Sequence, residues 1–131
     1  MRLHHSIHSV FAFAALAAAA CSDADSPQPV APCSGNVTIS VTTATARPRF
    51  DWQPRCAVSL VTVTNGPSVN RPLDNWALAA DSAVIIPPVD YAETRAGVRS
   101  TTPFGLECTF VYRIELYVGR AFVSYGGWLQ P

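Results

Sequence analysis

The chain has no Lys, and its three His (His4, His5 and His8) all fall within the first eight residues. All nine of its basic side chains are Arg. Beyond residue 8 there is no imidazole to serve as a neutral-pH base or metal ligand, and no side-chain amine for Schiff-base chemistry. Ser-His-Asp and Cys-His machinery and zinc sites of the Cys/His type are excluded there. Charge is sparse too: 14% of the 131 residues are charged, with nine Arg against nine acids. A chain without positive excess does not bind nucleic acid by neutralising phosphates. Its seven Gly are scattered, and Gly126-Gly127 leads into Trp128 rather than a helix, so a phosphate-cradling loop is missing. No cofactor is implied. Low charge does not mean disorder, because 49% of the residues are hydrophobic. Eleven Pro favour strands and turns over long helices. The length allows one domain.

The longest apolar run is residues 10–20, eleven residues of Val, Phe, Ala and Leu. That falls short of the about 20 residues that span a bilayer, and it suits the apolar region of a signal peptide. Arg2 and the histidines supply a basic start, and Ala18, Ala19 and Ala20 supply a small-residue exit into Cys21. On these residues the chain resembles a bacterial lipoprotein precursor, with Ala18 standing where that family most often has Leu. The resemblance implies a signal peptide over 1–20, cleavage before Cys21, and lipidation of Cys21 as the new N-terminus. Several acyl chains hold a protein on a membrane at about 0.8 kcal/mol per buried CH₂. Ser22 in the next position resembles outer-membrane sorting. The other reading is plain secretion or periplasmic release, with cleavage after Ala18-Ala19-Ala20. Either way the protein is exported.

Residues 21–32 hold three Pro and two Asp and read as an extended tether. Asp23 and Asp25 there read as solvated carboxylates, not metal ligands. The remaining 33–131 read as the folded domain, with a small core. Past residue 20, eight Arg face nine acids, so nothing steers a strongly charged partner.

Seven runs read as strands. Val37, Ile39 and Val41 alternate with polar neighbours, and Phe50 and Trp52 repeat the pattern up to Pro54. Residues 58–64 end at Asn65-Gly66-Pro67, a turn signal. Residues 76–79 and 84–86 follow, the latter stopped by Pro87-Pro88. In the sixth run Cys108, Phe110, Tyr112, Ile114 and Leu116 share one face, and Thr109, Val111, Arg113, Glu115 and Tyr117 the other. Residues 121–125 form the seventh, a hairpin with the sixth through Gly119. Short strands with turns between them predict an all-β, two-sheet sandwich preceded by a signal-peptide helix. Trp52 with Pro54, and Leu106 six residues before Tyr112, resemble the second-strand Trp and the tyrosine corner of fibronectin type III domains, within the wider immunoglobulin-like class. That resemblance implies a buried Tyr112 whose hydroxyl returns to backbone near the turn.

With Cys21 set aside, Cys33, Cys56 and Cys108 remain. In an up-and-down hairpin, the start of the first strand and the end of the second share a pole. Cys33 and Cys56 are therefore predicted to form a disulfide, which an exported protein retains. Cys108, at the opposite pole on the face of Phe110 and Tyr112, is expected to be a buried free thiol. Asn36-Val37-Thr38 reads as a polar strand start.

Paired acids remain available for chemistry, but Asp51, Asp74, Asp81, Asp90, Glu93, Glu107 and Glu115 are spread along the chain. Phe50, Trp52, Phe110 and Tyr112 are assigned to the core. The candidate binding patch is Trp76, Arg113, Tyr117, Tyr125 and Trp128, since flat aromatic surface gives large contact area. The expected function is a non-catalytic module that binds or spaces an envelope protein or glycan, held to the membrane by its N-terminal lipid. The alternatives are a small carboxylate-dependent glycan-active enzyme, and an inhibitor of a secreted hydrolase presenting the loop 65–75.

Overall fold

The computed structural model describes residues 28–65 and 75–131. Eight strands and no helix occur among them: β1 (Thr38–Thr42), β2 (Arg49–Gln53), β3 (Leu60–Asn65), β4 (Trp76–Ala79), β5 (Val89–Asp90), β6 (Arg99–Ser100), β7 (Val111–Val118) and β8 (Ala121–Leu129). They form two antiparallel sheets, one in the order β1-β2-β5 and one in the order β6-β4-β3-β7-β8. The result is a two-sheet β-sandwich, consistent with an immunoglobulin or fibronectin type III-like fold. The expected signal peptide, Cys21 and most of the expected tether lie outside the described residues, as does nearly all of the loop 65–75.

Period-two alternation decides which side chains meet between the sheets. Phe50 and Trp52 point in from β2, Val61 and Val63 from β3, Trp76 and Leu78 from β4, and Tyr112, Ile114 and Leu116 from β7, all buried. Each such side chain contributes about 1.5–3 kcal/mol relative to exposure. The polar ends of the large rings are satisfied inside. The Trp52 indole N–H donates to the Cys56 carbonyl at 2.9 Å, and that of Trp76 to the Ser100 hydroxyl at 2.9 Å. Tyr112 forms the expected corner: its hydroxyl accepts the Glu107 N–H at 2.7 Å, and Leu106 packs against the core.

The Cys33–Cys56 disulfide is present, with Cα atoms 4.8 Å apart. Both cysteines sit in the core cluster beside the β1–β2 hairpin. Ala31 and Pro32, which the sequence reading placed in the tether, are already tied in. The Ala57 N–H donates to the Ala31 carbonyl at 2.8 Å, and Pro32 bridges Ala57.

Three expectations are corrected. There are eight strands, not seven, because Arg99–Ser100 adds a short edge to β4. The run 84–86 is not a strand: only Ile85 bridges, to Val58, and pairing with β2 begins at Val89, past the prolines. Pro87 and Pro88 have no N–H to give a ladder, whereas Val89 does. Cys108 is exposed rather than buried, and Phe110 is 47% exposed rather than core. Thr109 has φ 68°, a left-handed turn that interrupts the alternation, so β7 starts only at Val111.

Tyr91 is a second buried phenol that the sequence did not single out. Its hydroxyl donates to the Phe104 carbonyl at 2.6 Å and lies 3.2 Å from that of Asn75, tying the segment after β6 to the start of β4. Burial pushes its pKa up to about 12 from the ordinary 10.0. The folded state thus favours the protonated phenol. Its contribution is fully present below pH 10.0, the unfolded value, and is lost as pH rises toward about 12. Urea denaturation at about pH 9 and about pH 11 should show wild type losing more stability across that interval than Tyr91→Phe. At neutral pH that variant should be less stable by about 0.5–1.5 kcal/mol.

Candidate interface on the outer face of the five-stranded sheet

The alternation that buries Tyr112, Ile114 and Leu116 turns Val111, Arg113, Glu115 and Tyr117 to the opposite face of β7. Their cross-strand partners on β8 are Leu129, Gly127, Tyr125 and Phe122. Gly127 opposite Arg113 leaves room for the guanidinium to lean along the diagonal, and its central carbon sits 4.1 Å from the centre of the Tyr125 ring. The Glu115 carboxylate lies 2.7 Å from Arg113 Nε and accepts the Tyr117 hydroxyl on its other oxygen. Phe122 meets Tyr117 edge-on at 5.7 Å and Tyr125 at 6.3 Å. Three rings and one ion pair thus form a continuous strip on two long strands. Tyr125 is 59% and Phe122 51% exposed, and Val111 and Leu129 extend the strip as an exposed apolar pair.

Of the predicted patch, the structure brings together Arg113, Tyr117 and Tyr125. It separates Trp76 and Trp128 from them. Trp76 is fully buried against Tyr91, with ring centres 5.5 Å apart. Trp128 is 8% exposed and packs between Phe50 at 5.3 Å and Tyr112 at 5.5 Å. Both tryptophans take inward positions of their strands, so they belong to the core. Phe122 is the member that sequence reasoning missed. In a regular strand, residues 122 and 125 face opposite sides. Here β8 spends one extra residue opposite Leu116/Tyr117, and this bulge returns Phe122 to the face of Tyr125.

No family model, curated protein or solved structure matches this chain. The reading of function therefore rests on the surface itself.

A second feature is an open cleft of about 540 Å³ at the far end of the β1–β2 hairpin, lined by Thr42, Thr45, Arg47, Arg49, Asp90 and Glu93. It brings two of the candidate acids together. Both are occupied by arginine. Arg49 grips Asp90 with two bonds of 2.7 and 2.9 Å, and this pairing holds the Asp90 carboxyl below the usual carboxylate range. Glu93 contacts the Arg95 guanidinium and accepts the Asp90 N–H at 2.7 Å. A two-carboxylate hydrolytic mechanism needs one acid kept protonated, and Arg49 acts on Asp90 in the opposite direction. Elsewhere Asp81 pairs with Arg99 at 3.0 Å on the surface, and Asp51 accepts the Trp52 N–H at 2.8 Å. Asp74 lies outside the described residues.

Proposed function

We propose that this chain is an exported, lipid-anchored β-sandwich of fibronectin type III type that binds an envelope protein or glycan by surface complementarity, without catalysis. The observation that carries the reading is the strip of Tyr117, Phe122, Tyr125 and Arg113, laid flat on β7 and β8 and braced by Glu115. Aromatic rings and Arg are the residue types that dominate binding hot spots, and here they are ordered before any partner arrives. The sheet order and the Tyr112 corner support the fibronectin type III assignment. The Cys33–Cys56 disulfide suits an oxidising compartment, in keeping with the leader and Cys21. The anchor would fix the module on the outer membrane of a bacterium and leave the strip to face its partner.

Two measurements test this. Crosslinking capture from intact cells, with a tag at the C-terminus, should recover a partner. Tyr117→Ala with Tyr125→Ala should reduce that recovery by about tenfold or more while the fold is retained. Undiminished capture by the double variant would remove the strip as the site. The intact mass of the envelope-extracted protein should show acyl chains on Cys21; an unmodified mature chain would leave plain secretion.

A further inference from the structure

β8 is both an edge strand and the longest strand among the described residues. Natural sheets guard such edges with charge, proline or short length. Residues 121–129 contain no charged residue and no Pro, and the single irregularity is the bulge near the start of the strand. The hydrogen-bond phase identifies which main-chain groups face outward. The Gln130 N–H donates to the Phe110 carbonyl at 3.0 Å, in the same register as the pairs Tyr112↔Trp128 and Ile114↔Gly126. Antiparallel ladders alternate, so Trp128 and Gly126 aim their N–H and C=O at β7, while Tyr125, Gly127 and Leu129 aim theirs away from the sheet. No described strand pairs with that side. β1 meets β8 from within the sandwich, with Ile39 close to Gly126.

We propose that this edge pairs with the same edge of a second copy of the chain, antiparallel about a two-fold axis through Gly127. Tyr125 of each copy then lies opposite Leu129 of the other. The composition of the strand suits a second copy as the occupant: it is uncharged, and a glycine stands midway between two exposed apolar side chains. The outward groups at 125, 127 and 129 are symmetric about 127, so one two-fold axis satisfies all of them in three pairs that exchange two bonds each. Gly127 brings no side chain to the axis. Tyr125 and Leu129, 59% and 60% exposed, form an aromatic–aliphatic cross-strand pair. With no charge on the strand, self-pairing sets no like charges against each other. Two five-stranded sheets become one of ten strands, and the two aromatic strips come to lie side by side. Main-chain groups carry this pairing, so it holds whether or not the strip is a binding site.

The test uses the exported chain carrying Cys21→Ala, which keeps lipid-driven clustering out of the measurement. Light scattering should give twice the chain mass. Gly127→Glu should weaken association by about tenfold or more. A single copy tolerates that change, because a Cβ at 127 meets only the Tyr112 carbonyl oxygen, at 3.6 Å, and Arg113 lies opposite. In a Cys108→Ser background, a mixture of Tyr125→Cys and Leu129→Cys chains should crosslink on oxidation, and neither chain alone should. A monomer at concentrations on the order of 10⁻⁴ M overturns the proposal. So does a Gly127→Glu chain that associates as tightly as wild type, a mixture that fails to crosslink, or capture of a different protein along this edge by a monomeric chain.

Discussion

Removing the Cys33–Cys56 disulfide is expected to lower the unfolding free energy by about 3 kcal/mol. The bond closes a loop with a sequence separation of 23, and it ties the segment before β1 to the segment after β2. Without it, the unfolded chain regains loop freedom, while the folded state loses a buried link beside the carbonyl that accepts the Trp52 indole. A domain this small has a total stability of about 5–15 kcal/mol, so the loss takes a large share. Urea denaturation with and without reductant, and of a Cys33→Ala, Cys56→Ala variant, measures it. A shift under about 0.5 kcal/mol would show that the core holds without the link. Non-reducing peptide mapping should recover Cys33 joined to Cys56, and the exposed Cys108 should alkylate in the native protein.

Trp128→Ala is expected to cost about 3–5 kcal/mol, the range for deleting a buried large aromatic. Trp128 is wedged between Phe50 of the opposite sheet and Tyr112 of its own. Its removal leaves a gap across the sandwich and takes the backing from the ring whose hydroxyl accepts the Glu107 N–H. Were Trp128 a surface contact residue, the same change would stay within about 0.5 kcal/mol and act on binding instead. The ratio of lost stability to lost capture, set beside Tyr125→Ala, separates the two roles.

The sandwich was legible wherever period two met turn chemistry. The alternation of Ile39, Phe50, Trp52 and Ile114 located β1, β2 and β7, and the Leu106 to Tyr112 spacing located the corner. The Cys33–Cys56 pairing followed from hairpin geometry because the two sheets leave Cys108 elsewhere. Alternation misled where backbone geometry broke it without a sequence marker. Thr109 adopts φ 68° without being Gly or Asn, so nothing in the string signals that Cys108 and Phe110 leave the inner face. β6 has two polar residues and exists because the chain lies along β4, where the Ala77 N–H donates to Thr101 Oγ1 at 2.8 Å. The strip was half legible: Arg113 and Tyr117 share a face by parity, but Phe122 joins them through a bulge that parity does not encode. Trp76 and Trp128 could not be separated from surface tryptophans by composition, because burial of a ring depends on the facing sheet.

The Ser124 hydroxyl donates to the Val37 carbonyl at 2.6 Å across a separation of 87 residues, and Gly126 lies under Ile39. The opening strand of the domain is therefore latched by the closing one. A polypeptide made amino end first holds β1 and its hairpin without their counterpart until β8 has followed. Assembly of that layer then waits for β8, and contacts of such range are typical of all-β folds that form in about milliseconds to seconds. Until then the Cys33–Cys56 link ties together the two segments that flank the first hairpin.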